Sequence, residues 1–219
     1  MARCTKEEAL ETRSRILDAA EDVFFAQGVT RTSLAEIAEA ANVTRGAIYW
    51  HFKNKSDLFV AMCERVRMPM EAMVEASGNE LESDPLGQLR NNCVFILRET
   101  MLNEHSRKVL GIMFHKCEFV DAADPIQVRQ QESFHTGTAN FERILRNAVK
   151  KGQLPQNLDT RLAATMFHAS LSGLLNNWLF SPSTFDLAND AEKLIDACIA
   201  TIRHASSLHV ATPGKPGKH

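Results

Sequence analysis

The sequence is poor in the residues that build sheets, disulfide frameworks and membrane spans. It has one tyrosine and two tryptophans, and two of these three aromatics sit side by side at Tyr49-Trp50. Its five cysteines, Cys4, Cys63, Cys93, Cys117 and Cys198, are odd in number and never in C-x-x-C spacing. That argues against a disulfide framework or a structural zinc site and suits a reducing cytoplasm. No apolar run approaches the ~18 residues of a membrane helix. The segment Met1 to Leu10 carries Arg3, Lys6, Glu7 and Glu8 and no apolar export core, so no signal peptide is expected. Helical periodicity outweighs any strand or hairpin pattern in the sequence, so no sheet is expected. G-x-S-x-G, P-loop and G-x-G-x-x-G patterns are missing, and the acid pairs lie on exposed helix faces. An enzyme is therefore not expected, and neither is a cofactor or metal. With 25 Lys+Arg against 27 Asp+Glu, the formal net charge is −2, so any contact with nucleic acid must come from a local patch.

Helical periodicity fills the space left by these absences. Ile16, Leu17, Ala20, Val23 and Phe24 form one apolar stripe on a helix over about 8–27, which Gly28 stops. Ser33 and Glu36 have capping-box spacing ahead of Leu34, Ile37, Ala38 and Ala41. Asn42 turns the chain, Thr44 is a good N-cap, and Ile48 and Phe52 face inward on the next short helix. After Asn54-Lys55-Ser56 a long helix begins. Further helices are expected over about 85–103, 105–119, 125–151, 159–180 and 186–204, divided by Asp124-Pro125, Gly152, Pro155, Asp159 and Ser181-Pro182. The expected fold is all-α, with about nine helices, and 206–219 reads as a disordered tail.

Two short helices joined through Asn42-Val43-Thr44 and braced by a preceding amphipathic helix have helix-turn-helix dimensions. Charge agrees. Residues 40–56 contain Arg45, Lys53, Lys55 and His51 and no acid, although residues 1–60 hold eight Lys+Arg and nine Asp+Glu. One face is thus kept clear of carboxylates, as a phosphate-binding footprint requires. Arg45 is long enough to reach a guanine O6/N7 pair, and Gly46 and Ala47 permit close approach of the helix to the bases. Thr44 suits a phosphate, and Tyr49, one turn after Arg45, shares its face. His51 and Lys55 lie at the far end, within reach of phosphates. Trp50 either packs between helices or touches DNA. Arg3 and Lys6 read as a frayed terminus rather than a DNA-binding arm.

The run from Thr32 to Lys55, TSLAEIAEAANVTRGAIYWHFKNK, resembles the DNA-binding signature of the TetR family of one-component repressors. Gly46 to Phe52, Phe114 to Phe119, and Gly173 with Asn177 to Pro182 resemble its AcrR/TtgR group, which represses multidrug efflux operons. Asn42 stands where family members often have glycine, and asparagine also tolerates a left-handed backbone. The resemblance implies a DNA-binding domain over 8–54 that uses Thr32 and Ser33 besides the residues above. It also implies a ligand-binding and dimerisation domain over 55–205. The expected partners are a palindromic operator, a small lipophilic or cationic aromatic inducer, and a second copy of the chain docked through the last two long helices.

Eight of the twelve phenylalanines lie from Phe95 onward, and Met68, Met70, Met73, Met101 and Met113 cluster in mid-chain, side chains that suit a pocket for varied apolar ligands. Arg67, Met70, Phe114, Phe134, Phe141, His168, Ser172 and Asn176 are the candidate lining. Two alternatives stay open: a DNA-binding regulator without small-molecule input, and a thiol- or metal-responsive one using Cys117 and His115. His and Cys two apart on a helix share a face poorly, which favours a packed helix end.

Overall fold

The computed structural model describes residues 6–118 and 124–210. Among them run α1 (Lys6–Gln27), α2 (Leu34–Ala40), α3 (Arg45–His51), α4 (Lys55–Ser77) and α5 (Pro85–Leu102). They are followed by α6 (Glu104–His115), α7 (Pro125–Lys150), α8 (Thr160–Phe180) and α9 (Leu187–His204), with a 3-10 turn at Ser206–Leu208. The described residues include no strand beyond one isolated bridge, Leu158 to His209.

Local chemistry sets the helix ends. The Glu36 amide donates to Ser33 Oγ at 3.3 Å while the Ser33 amide donates to Glu36 Oε2 at 2.7 Å, a complete capping box. Thr44 caps α3, Asn103 caps α6 and Asp186 caps α9 through their side-chain oxygens. The α1 and α7 stops use glycine at positive φ, +84° at Gly28 and +74° at Gly152. Asn42 takes φ +52°, which its short polar side chain tolerates. One boundary differs from expectation: α6 ends at His115 rather than near 119, because Lys116 leaves helical geometry while its amide still bonds Ile112. Cys4 and Phe119 lie outside the described residues.

Packing divides the chain into two units that cut across the expected division at residue 54. One draws on Met1–Pro69, Glu99–Ser133 and Leu179–Pro182. Its core gathers Ile16, Ala20 and Phe24 of α1, Ile37 of α2, Ile48 of α3, Leu58, Phe59 and Met62 of α4, and Val109 and Ile112 of α6. Phe24 and Phe59 meet edge-on at 5.9 Å. Polar bonds tie α6 to α1 in this unit: Lys108 Nζ lies 2.9 Å from Asp22 Oδ1, and His105 Nδ1 lies 2.8 Å from Glu21 Oε2.

The other unit draws on Met70–Arg98, Phe134–Trp178 and Ser183–His219. Leu89 and Leu97 of α5, Ile144 and Leu145 of α7, Phe167 of α8, and Ile195 and Ile202 of α9 are buried in it. Arg90 pairs with Asp196 and Glu192, and Arg98 with Glu192, joining α5 to α9. The start of the expected tail proves ordered. Leu208 is buried, its carbonyl accepts from the Asp159 amide at 2.8 Å, and the Val210 amide donates to Asn157 O at 2.8 Å. Backbone pairing with the α7–α8 loop, together with one buried leucine, holds 206–210 in place. Residues 211–219 lie outside the described set.

Glu21 is 3% exposed, and burial raises its pKa above the ordinary 4.5 despite His105 beside it. The folded state therefore holds that proton more tightly than the unfolded chain does. The ionised carboxylate becomes progressively unfavourable as pH climbs from about 4.5 through the raised value. Glu21→Gln is expected to gain stability relative to the parent as pH goes from 4.5 to 8, measured by urea unfolding. A variant that is penalised most at pH 8 would show instead that the pair with His105 outweighs burial.

Candidate nucleic-acid interface

A seven-residue helix is too short to persist alone, so α3 must be held from behind. Ile48 is fully buried and Phe52, its C-cap, is 2% exposed. Arg13 of α1 lies over the Phe52 ring at 5.1 Å. At the N-terminus, Thr44 Oγ1 accepts from the Ala47 amide at 3.2 Å, which orients the first turn. The α2–α3 turn closes when the Val43 amide donates to Ala38 O at 2.9 Å.

With its inner face anchored, the helix turns the rest outward. Arg45 and Gly46 are exposed, Tyr49 is 62% exposed and Trp50 71%. Trp50 is thus largely open rather than packed between helices, and its ring meets that of its neighbour His51 edge-on, with centroids 4.5 Å apart. Tyr49 and Trp50 leave two large aromatic rings open to solvent on the same short helix as the Arg45 guanidinium. Among the described residues Arg45 has no carboxylate partner. His51 is half-buried, and burial together with the positive charge of Arg13 lowers its pKa. It therefore acts as a neutral hydrogen-bonding ring near pH 7 rather than a cation.

Three sequence candidates are engaged within the protein. Thr32 is 3% exposed and its hydroxyl donates to Gly28 O at 2.7 Å. The Ser33 hydroxyl belongs to the capping box, also donating to Glu36 Oε2 at 2.7 Å, and these bonds hold the Glu36 carboxyl below its ordinary pKa. Lys55 Nζ donates to the carbonyls of Val29, Thr30 and Thr32 at 2.8, 3.1 and 2.9 Å. No sequence signal distinguishes such a lysine from one that faces solvent.

The ligand candidates fall into separate groups. In the first unit, Arg67 lines a small cavity with Phe59, Cys63, Met113, Arg129 and Gln130, whose space of about 10 Å³ holds roughly one water. Gln130 Nε2 is buried there without a hydrogen-bond partner among the described residues. Phe114 is exposed in the same unit.

In the second unit, His168 is stacked on Phe134 at 4.7 Å and meets Phe141 edge-on at 5.4 Å. The Thr138 hydroxyl donates to Phe134 O, so at the 2.7 Å contact His168 Nδ1 is the donor. Burial lowers the His168 pKa, which keeps the ring neutral. These aromatics fill one another's space. Met70, Ser172 and Asn176 are half-buried.

Burial also pushes the Cys117 thiol up to about 12, and Cys63 and Cys93 shift the same way, so reactive thiolates are disfavoured. Among the described residues no three potential ligand side chains converge on a metal site.

Residues 16–62 match the family described as "Bacterial regulatory proteins, tetR family", and residues 84–204 match "MAATS-type transcriptional repressor, C-terminal region". The chain is 41% identical over 208 residues to the HTH-type transcriptional regulator TtgR of Pseudomonas putida, covering 95% of this chain and 99% of that one. It is 43% identical over 195 residues to the HTH-type transcriptional regulator AcrR of Shigella flexneri, covering 89% and 91%. Among solved structures, the SmeT–triclosan complex has a TM-score of 0.82 at 33% identity, covering 95% of this chain and 100% of that one. NalD, the secondary repressor of the MexAB-OprM multidrug efflux pump in Pseudomonas aeruginosa, has a TM-score of 0.79 at 36% identity, covering 88% and 96%. The anchored, outward-facing α3 and these likenesses agree: the chain belongs to the TetR family of DNA-binding transcriptional repressors and is not an enzyme.

Proposed function

We propose that the chain represses a multidrug efflux operon from the cytoplasm, binding a palindromic operator as a homodimer and releasing it when a lipophilic or cationic aromatic molecule binds the C-terminal region. The observation that carries this reading is the exposed, acid-free face of α3. Arg45 reads a guanine through O6 and N7, while Gly46 and Ala47 bring the helix close to the bases. Thr44 keeps its hydroxyl proton for a phosphate after capping α3. Tyr49 and Trp50 supply a phosphate donor and an apolar edge, and neutral His51 donates one hydrogen bond. Thr32 and Ser33 act through the backbone they shape.

The dimer reading rests on α8 and α9. Leu187, Ala191, Ile195, Ile199 and Ile202 bury one side of α9. A neighbouring face, with Leu194, Ala197 and Thr201, forms a shallow apolar groove with Met166, Gly173 and Leu174 of α8. Such a two-helix surface suits self-complementary packing around a two-fold axis, and a two-fold dimer presents two recognition helices ~34 Å apart to successive major grooves.

The ligand reading is supported by likeness to efflux-pump repressors rather than by an open cavity: the space beside Arg67 holds roughly one water, and Phe134 and Phe141 both pack on His168. NalD is named as an efflux-pump repressor, and SmeT was solved with triclosan. Release is a population shift, so DNA must weaken ligand binding by the same factor that ligand weakens DNA binding.

Two outcomes follow for a duplex selected by the protein from a random-sequence pool. Arg45→Ala is expected to lose about 1–3 kcal/mol of discrimination against a random duplex, with random binding little changed, by fluorescence anisotropy at fixed salt. Equal losses on both duplexes would remove Arg45 from base reading. Triclosan titrated into the preformed specific complex is expected to lower the anisotropy, and a full titration without effect would count against the inducer pocket.

A further inference from the structure

A cation in the first turn of a helix meets the positive end of the macrodipole, so a lysine at the start of α4 needs a reason. The reason is a ring of carbonyls. An ammonium has three N–H donors, and all three of Lys55 end on Val29 O, Thr30 O and Thr32 O, 23 to 26 residues earlier in the chain. Reaching a DNA phosphate would mean breaking these bonds and removing the ammonium from the carbonyl of buried Thr32; the Val29 carbonyl would keep the Thr32 amide at 3.4 Å.

That turn is a junction. It leaves α1 at Gly28 with φ +84°, is pinned internally by the Thr32 hydroxyl on Gly28 O, and runs directly into Ser33, the cap of α2. Its second outside anchor is the Val29 amide, which donates to the Lys116 carbonyl just past α6 at 3.1 Å. The first residue of α4 and the end of α6 thus grip the same five residues that fix the start of α2, and α3 follows α2 after a short turn.

We propose that Lys55 is a positioning residue for operator recognition, tying the start of α4 to the α1–α2 turn and so setting where α2 and α3 stand, rather than neutralising a phosphate. The assignment rests on the DNA-binding role of α3 and adds to it the element that aims the helix. Three convergent acceptors suit a tetrahedral ammonium and not a planar guanidinium, so charge alone does not substitute for it.

The test uses full-length Lys55→Met, Lys55→Arg and Lys55→Gln with a duplex selected by the parent protein and a random duplex of equal length. Met and Arg are each expected to lower affinity for the selected duplex by about tenfold or more, the scale of losing charge-assisted hydrogen bonds. Gln, which keeps two donors, should fall between them and the parent. Random-duplex affinity and its dependence on salt should stay at parent values. In hydrogen exchange without DNA, the amides of α2 and α3 should exchange faster in all three variants while those of α9 do not.

A phosphate contact gives the opposite pattern: Arg restores binding, Met weakens both duplexes alike, and the slope of log K against log salt drops by about 0.9. That result would overturn the proposal. So would α2 and α3 amides that exchange as in the parent, a readout independent of any DNA. Lower melting temperature with unchanged operator affinity would leave Lys55 merely structural and would overturn it too. Failure of the parent to enrich any sequence would instead count against operator recognition itself.

Discussion

A recognition helix of seven residues cannot hold its own backbone in water, so everything it does depends on being held from one side only. Ile48 and Phe52 provide that hold, entering the same core as Phe24 of α1 and Phe59 of α4. The arrangement frees the other side of α3 for side chains chosen for recognition rather than packing. A rigid back and an open front also explain why large aromatics remain exposed at Tyr49 and Trp50, where burial would otherwise stabilise the fold. The caps at Ser33 and Thr44 and the turn at Asn42 fix local geometry without covering the surface.

The same constraint explains why the packing units do not follow the chain. The core that supports α3 draws on α4 and α6, which lie after the DNA-binding signature in sequence. Lys108 with Asp22 and His105 with Glu21 add polar ties between α6 and α1. The residues supporting the recognition helix therefore include groups from the region matched to the C-terminal family segment, 84–204. This gives a later part of the chain a direct energetic interest in the shape of the helix-turn-helix, as a population shift between binding-competent and released forms requires.

Signals that are local and periodic were legible in the sequence. The Ser33–Glu36 box, the Asn42 turn, the Thr44 cap and the Gly28 and Gly152 stops act over a few residues, and each appears in the structure. The acid-free window around Arg45 was legible for the same reason. Contacts that distant residues make to main-chain atoms were not. Nothing in the composition of 28–32 announces that Lys55 or the Lys116 carbonyl will reach it, and a lysine written beside Asn54 reads alike with phosphate or carbonyl partners. The order of 206–210 was hidden similarly, since Leu208 gains its place from a bridge between its neighbour His209 and Leu158, about fifty residues away. Phe134, Phe141 and His168 stood among the eight candidate lining residues, but only coordinates reveal that both phenylalanines pack on His168.

The central claim is that the open face of α3 is where DNA sits, and Trp50 reports on it directly. Trp50 is 71% exposed and Trp178, the only other tryptophan, is 6% exposed. Acrylamide quenching of intrinsic fluorescence, with Trp50→Phe as the control for Trp178, isolates the exposed ring. The account predicts ready quenching of Trp50 in free protein and strong protection once the selected duplex is bound, with the Trp50→Phe protein unchanged by DNA. Trp50 that stays equally quenchable in the saturated complex would contradict the account, because the face built to be open would then not be the face that meets DNA.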